Sequence, residues 1–371
     1  MATPANVPVS LSRGSINTDE FSKASYFRNV RLVNEYSTPS RDRFLCALCG
    51  DRLTWVYILT TEPDPQYTTS REIPCTWLWL HRAHPATTVG RAKRLGANQA
   101  VAVAVSGSTV EFAGSEFLKE RGVGTNLMLV HEDKPSGRAI IQTTPDGENA
   151  IFLFPGTNHA SYPVDSPALR PYHTHLLLQN EILLSDTVET LNAAHQMGTV
   201  SIFNPSPMLS PEELRLFPWE KLSILVVNQG EASTLLDALG KQNDKLTDSE
   251  GRAILDALVA LPVLSGLSGI VVTLGGSGAV ASFLTPSGRE TIQLPAAKVK
   301  VIDTTGAGDT FLGYLCGSLM RISGKTWELS ELREALKRSI VAAGLSTERP
   351  GAMSSIPSNL EVESQLSAYH G

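Results

Sequence analysis

Asp303-Thr304-Thr305-Gly306-Ala307-Gly308-Asp309-Thr310-Phe311 is the stretch on which the reading of this chain turns. It follows a mostly apolar run, 299–302, and precedes a segment with helical periodicity, 310–320. The glycines on either side of Ala307 let backbone N–H groups converge where that helix starts. Such a nest, at the positive end of a helix dipole, attracts anionic phosphate oxygens. An aspartate directly after the nest can take a proton from an alcohol while the amides hold a transferring phosphoryl group. A glycine-capped loop before an acidic helix start is the plainer alternative. Two other phosphate motifs are absent: there is no G-x-x-x-x-G-K-[ST], and Phe311 stands where G-x-G-x-x-G needs its third glycine.

Outward from this block the chain alternates. Strand-like runs are predicted at 127–130, 176–179, 200–203, 224–228 and 270–274. Helices are predicted between and after them, over 186–196, 231–239, 253–261, 310–320 and 330–346. Alternation of this kind pairs strands in parallel, with helices on both faces of a sheet. One hairpin interrupts it: the runs 138–144 and 149–154 flank Pro145, Asp146 and Gly147. Residues 36–95 show no sustained period of 2 or 3.6, and no regular element is predicted there.

With 371 residues, 42% of them hydrophobic and 18% charged, the chain can bury a sizeable core. Its net charge of −6 and lack of a dense Lys/Arg cluster argue against nucleic acid as a partner. No apolar run approaches the roughly 18 residues that span a bilayer. Four cysteines in a chain of this length do not form a disulfide framework, so reduced thiols in the cytoplasm are expected. Cys46-x-x-Cys49 with Cys75, His81 and His84 lacks the spacing of a common zinc site. His159, His173 and His175 have no evident nucleophilic partner and read as structural.

The nine-residue block resembles the C-terminal signature of the ribokinase (PfkB) family of carbohydrate kinases. The resemblance extends over residues 12–20 and from 96 to the end. It implies a single domain over 1–371, with the irregular 36–95 segment in its lid and sugar-loop region. The implied fold is a three-layer αβα, Rossmann-like architecture with a mostly parallel central sheet and a small β lid. Within the family pattern Asp309 is the base, and Gly306, Ala307 and Gly308 form the anion hole. Asn17 and Asp19, in Gly14-Ser15-Ile16-Asn17-Thr18-Asp19, would hold sugar hydroxyls. Gly96 and Asn98 would join them, as the tail of a sugar loop ending Gly96-Ala97-Asn98-Gln99-Ala100. Glu148, in the hairpin turn, and Asp309 complete the sugar set. Here Arg94 and Leu95 stand where the family carries Gly and Lys.

The same resemblance assigns the nucleotide to Asn228, Thr273, Gly275, Gly278 and Gly308. Glu231 and Asn228, in Asn228-Gln229-Gly230-Glu231, would organise Mg²⁺, partly through water. Asp303, Thr305, Ser346, Arg349 through its backbone, Gly351 and Ser355 would hold K⁺. The implied reaction moves the γ-phosphate of ATP to the 5-hydroxyl of D-ribose. The implied location is the cytoplasm, with the nucleus as a second compartment, and the implied assembly is a homodimer paired through the lid. Two alternatives stay open: another sugar or nucleoside substrate, and a nucleotide-binding homologue whose altered sugar loop impairs catalysis.

Overall fold

The structure is a computed structural model that describes residues 9–13, 17–23, 31–37, 43–49, 52–58, 79–81, 91–92, 95–113, 122–124, 127, 135, 137–143, 149–160, 169–240, 251–322 and 327–369. The first strands are β1 (Val9–Arg13), β2 (Asn17–Lys23), β3 (Arg31–Ser37), β4 (Arg43–Cys49), β5 (Arg52–Ile58), β6 (Trp79–His81), β7 (Arg91–Ala92) and β8 (Thr109–Ala113). They are followed by β9 (Gly137–Thr143), β10 (Asn149–Phe154), β11 (His173–Gln179), β12 (Val200–Asn204), β13 (Ile224–Asn228), β14 (Gly269–Thr273), β15 (Ala279–Thr285) and β16 (Gly288–Leu294). The helices are α1 (Leu95–Val105), α2 (Leu184–Met197), α3 (Pro211–Leu216), α4 (Gln229–Leu239), α5 (Gly251–Val259), α6 (Ala307–Leu319), α7 (Leu329–Ser346) and α8 (Asn359–Leu366). Two compact units divide the chain: residues 1–19, 91–139 and 153–371 in one, 20–90 and 140–152 in the other.

The larger unit is built on an eight-stranded sheet in the order β16-β15-β14-β13-β12-β11-β1-β8. From β8 to β14 every neighbouring pair is parallel, and β15 and β16 add an antiparallel edge. Side chains alternate across the pleat, so each central strand feeds two cores. Leu177, Val226 and Val271 pack with Leu312 and Leu315 of α6 and Leu336 of α7 on one face. Leu176, Leu178, Leu225, Val227, Ile270 and Val272 pack with Leu191 of α2, Leu235 of α4 and Leu255 of α5 on the other. Burial on both faces is why these strands read as unbroken apolar runs. The result is the three-layer α/β architecture with a mostly parallel sheet that the resemblance implies.

Most predicted elements have counterparts, with shifted ends. Of the predicted 127–130 strand only Leu127 is described, and it sits in a turn; 128–130 lie outside the described residues. The predicted hairpin is β9 and β10. Over 36–95, where no element is expected from the sequence, the smaller unit carries an antiparallel sheet in the order β3-β4-β5-β6. Its central register runs from Arg43↔Ile58 to Cys49↔Arg52, leaving only Gly50 and Asp51 between the strands. That two-residue Gly-Asp spacer is the local hairpin signal. The register is set by backbone pairing and turn length, which a search for alternating hydrophobicity does not detect.

Helix α6 is buried from Asp309 to Leu319 and lies against α1. Glycine permits this contact. A Cβ on Gly313 would strike the Ala102 side chain and lie 2.6 Å from the Gln99 carbonyl oxygen. One turn later, a Cβ on Gly317 would strike the Ser106 hydroxyl. Gly313→Ala is therefore expected to wedge α1 from α6 and cost about 1–3 kcal/mol in denaturant unfolding. Gly276→Ala, whose added methyl meets nothing within 4 Å, should leave stability unchanged.

His175 lies inward on β11, with Nδ1 2.9 Å from the Thr174 hydroxyl. Burial lowers its pKa from 6.5 to about 4. Below pH 6.5 the unfolded chain takes up a proton that the folded chain refuses. His175 therefore costs nothing above that pH, and stability is lost progressively as pH falls toward about 4, by up to roughly 3 kcal/mol. Denaturant melts across this window should show the loss, and His175→Phe should flatten it.

Candidate active site

The C-terminal ends of the central strands bring polar residues to one edge of the sheet. Gln179 ends β11 beside Asn204 of β12, and Asn228 of β13 pairs with Thr273 of β14. Ligands in open α/β sheets bind outside this edge. Two carboxylates, Asp309 and Asp303, organise what lies there.

Asp309 occupies the first turn of α6, where a negative charge suits the helix dipole. It is only 4% exposed. Both carboxylate oxygens accept from α1: Asn98 Nδ2 donates to Oδ2 at 2.8 Å and Gln99 Nε2 to Oδ1 at 3.1 Å. Behind them, Gln179 Nε2 donates to Gln99 Oε1 at 2.5 Å. Asn98 thus reaches Asp309 directly, although the family pattern assigns it only to the sugar. Gly96 and Asn98 are expected on a loop tail, but α1 already begins at Leu95. The run Leu-Gly-Ala-Asn-Gln-Ala-Val is rich in residues that a helix tolerates and packs against α6, which overrides the single glycine.

Of the three amides expected to form an anion hole, one is engaged. Gly306 takes the left-handed conformation, φ 77°, and gives α6 no side-chain cap. The Ala307 amide donates internally to the Thr304 carbonyl at 3.2 Å. Among the described residues, the amides of Gly306 and Gly308 donate to no acceptor. Two amides, rather than three, therefore remain to hold an anion.

Asp303 shapes the loop leading into α6. Its Oδ1 accepts from the Thr305 amide at 2.9 Å and its Oδ2 from the Gly351 amide at 2.8 Å. The amides of Ile302 and Asp303 both donate to the Thr347 carbonyl, at 2.7 and 3.0 Å. The expected cation residues thus come together around two stitched loops. Ser346 and Ser355 are buried there, their hydroxyls donating to the carbonyls of Ala343 and Ala352, each at 2.8 Å. The Arg349 guanidinium pairs with Glu361, which leaves its backbone as the only possible donor to a cation. These residues offer oxygen donors only, the kind that suits a potassium ion.

On α4, Asn228 and Glu231 form a reciprocal cap. Asn228 Oδ1 accepts from the Glu231 amide and Glu231 Oε2 from the Asn228 amide, each at 2.9 Å. Asn204 Nδ2 also donates to Glu231 Oε2, at 3.3 Å. Burial raises the Glu231 pKa, against the opposing hydrogen bonds from Asn228, Ser206 and Asn204. A carboxylate short of water suits a divalent cation, whereas Asn228 Oδ1 is already engaged as a helix cap.

After β14, the turn expected to approach a nucleotide closes on itself. Leu274 N donates to the Gly278 carbonyl at 2.8 Å, and Gly278 N to the Gly275 carbonyl at 3.0 Å. Gly278 has φ 96°, and an added Cβ would strike the 294–296 backbone, so this chain's own packing demands that glycine. Gly275 is open: a Cβ added there would meet nothing within 4 Å. Asn17 and Asp19 lie on β2, where Asp19 pairs with Arg91 of β7. Glu148 lies outside the described residues. The residues missed by the sequence reading are Gln99 and Gln179, whereas Asn204 stands in an Asn-Pro turn that resembles the family's strand end. A glutamine ending an apolar strand was the available signal for Gln179.

Residues 88–359 match the pfkB family of carbohydrate kinases. The chain belongs to that family. It is an ATP-dependent sugar kinase, and several of the proteins it is similar to are ribokinases. The ribokinase of Schizosaccharomyces pombe is 30% identical over 290 residues, covering 72% of this chain and 84% of that one. The bifunctional ribokinase/ribose-5-phosphate isomerase A of Fructilactobacillus sanfranciscensis is 29% identical over 277 residues, 71% of this chain, which spans 47% of that protein's length. The crystal structure of ribokinase from Cryptococcus neoformans var. grubii serotype A, in complex with ADP, has a TM-score of 0.69 at 36% identity, covering 97% of this chain and 99% of the other. No helix among the described residues is long and apolar enough to cross a membrane.

Because Asp303 holds two loop amides at once, Asp303→Ala should lower stability by about 1–3 kcal/mol. Asp303→Asn, which keeps one acceptor oxygen, should cost less. Urea denaturation of the two variants measures the order.

Proposed function

We propose that this chain is a ribokinase that transfers the γ-phosphate of ATP to the 5-hydroxyl of D-ribose, yielding D-ribose 5-phosphate and ADP. The observation that carries the reading is the buried Asp309 carboxylate, held by Asn98 and Gln99 at a helix start with two uncommitted amides. The likeness to ribokinases at 30% and 36% identity supports it.

In this reading Asp309 accepts the hydroxyl proton as the sugar oxygen attacks the γ-phosphorus. An ionised carboxylate offers about four acceptor sites, so accepting from α1 does not by itself bar the proton. The amides of Gly306 and Gly308 donate to the oxygens of the migrating phosphoryl group, which is where charge stabilisation acts. Sugar hydroxyls are held by Asn17, Asp19, Gly96, Asn98 and Glu148. The nucleotide lies against Asn228, Thr273, Gly275, Gly278 and Gly308. Glu231 and Asn228 would organise Mg²⁺, partly through water, and that ion would neutralise phosphate charge. Asp303, Thr305, Ser346, Gly351, Ser355 and the Arg349 backbone would hold K⁺, whose charge would support the shape of the anion loop. Pairing of two copies through the antiparallel smaller unit belongs to the same reading.

Arg94 and Leu95, in place of Gly and Lys, favour a second reading in which nucleotide binds and the sugar does not turn over. ADP release measured across a panel of pentoses, hexoses and nucleosides, with and without K⁺, separates the two. Turnover greatest on D-ribose and raised by K⁺ is expected, whereas ATP binding without turnover on any acceptor supports the second reading. Asp309→Asn should lower kcat by at least about 10²–10⁴-fold while leaving ATP affinity unchanged. Near-normal turnover in that variant would remove Asp309 as the base.

A further inference from the structure

Behind the proposed base runs a chain of buried amides that family resemblance leaves without a role. Gln99 and Gln179 are fully buried and Asn98 is 3% exposed. Gln99 Nε2 donates to Asp309 Oδ1 at 3.1 Å, and Gln179 Nε2 donates to Gln99 Oε1 at 2.5 Å. We infer that Gln99 and Gln179 are positioning residues, which lock the Asp309 carboxylate in one rotation by a relay of hydrogen bonds with a single polarity.

The polarity follows from the chemistry of the groups. An ionised carboxylate only accepts hydrogen bonds. Gln99 must therefore turn its NH₂ toward Asp309, which leaves its carbonyl oxygen facing away. That oxygen can be satisfied only by a donor, so Gln179 must turn its own NH₂ toward Gln99. Among the described residues, Gln179 Oε1 is then left without a partner, as is Oδ1 of Asn98, whose Nδ2 serves the other carboxylate oxygen. An unpartnered buried carbonyl costs free energy, and both amides accept that cost to keep a donor on the path to Asp309.

The anchor of the relay is the sheet itself. Gln179 is the last residue of β11, and its backbone is paired with Asn204 of β12. Gln99 rides on α1, whose distance from α6 is set by the glycines of α6. Three elements, β11, α1 and α6, thus converge on one side chain. Burial excludes water that could substitute for a missing donor. A carboxylate held at both oxygens cannot rotate, so the direction from which a sugar hydroxyl must approach it is fixed. Positioning of this kind is worth about 10²-fold in rate when lost.

This inference rests on the reading of Asp309 as the base, and the test separates the two. Gln99→Met and Gln179→Met keep side-chain length and remove the donors. Both are assayed as the full chain with ATP and the preferred sugar, beside Asp309→Asn and the double variant Gln99→Met/Asp309→Asn. Positioning predicts that Gln99→Met lowers kcat by about 10²-fold with the KM for ATP unchanged. Gln179→Met, which leaves the direct donor in place, should lower kcat less. In the Asp309→Asn background, Gln99→Met should cause no further loss in the residual rate, because its effect passes through the missing carboxylate. Thermal melts report whether each variant is folded, and Gln179→Met carries the test if Gln99→Met is not. The inference is overturned if kcat per folded molecule stays within twofold of wild type in both Met variants. It is also overturned if the loss from Gln99→Met is the same with and without Asp309. Full activity in Asp309→Asn would instead overturn the base assignment itself.

Discussion

A carboxylate taken out of water must be given hydrogen bonds or it will not stay ionised. Asp309 faces that demand at the first turn of α6, and the surrounding fold answers it. The helix start contributes the favourable end of a dipole. Helix α1 contributes two side-chain amides, one to each oxygen. Those amides reach only because α1 and α6 approach closely over Gly313 and Gly317. In the proposed mechanism, residues at the back of a helix pair thereby take part in the chemistry at its front.

The second carboxylate does a different job. Asp303 spends both oxygens on backbone amides of its own and a neighbouring loop, so it behaves as a clasp. With the Thr347 carbonyl accepting from two consecutive amides, the clasp determines how the chain enters α6. The left-handed Gly306 then turns the backbone so that its own amide and that of Gly308 stay uncommitted. The starts of α3, α4 and α8 are closed by reciprocal side-chain caps, whereas α6 has none. A capped helix start would have consumed the amides that phosphoryl transfer needs.

How much of this is legible in the sequence varies with the range of the interaction. Strand β13 falls on the predicted 224–228, and β14 is displaced by one residue, because burial on both faces makes such strands continuous apolar runs. Helix α6 starts three residues before the predicted Thr310, because Gly306 and Gly308 read as loop. The edge hairpin β15–β16 is not anticipated, though Pro286 and Ser287 stand between its strands as a turn signal. The contacts of Gln99 and Gln179 are not legible, although Gln179's place at the end of an apolar strand hints at the sheet edge. Gln99 lies 210 residues from Asp309 and 80 from Gln179, and nothing local announces either contact. Likewise, the engagement of the Ala307 amide depends on the particular turn that Thr304 makes, which the nine-residue block does not encode.

The most direct measurement is a crystal structure of the protein with D-ribose and a non-hydrolysable ATP analogue bound together. The 5-hydroxyl should lie within about 2.6–3.2 Å of an Asp309 oxygen, with the terminal phosphate against the amides of Gly306 and Gly308. A sugar whose 5-hydroxyl faces away from Asp309, or a terminal phosphate that leaves both amides to solvent, would contradict it.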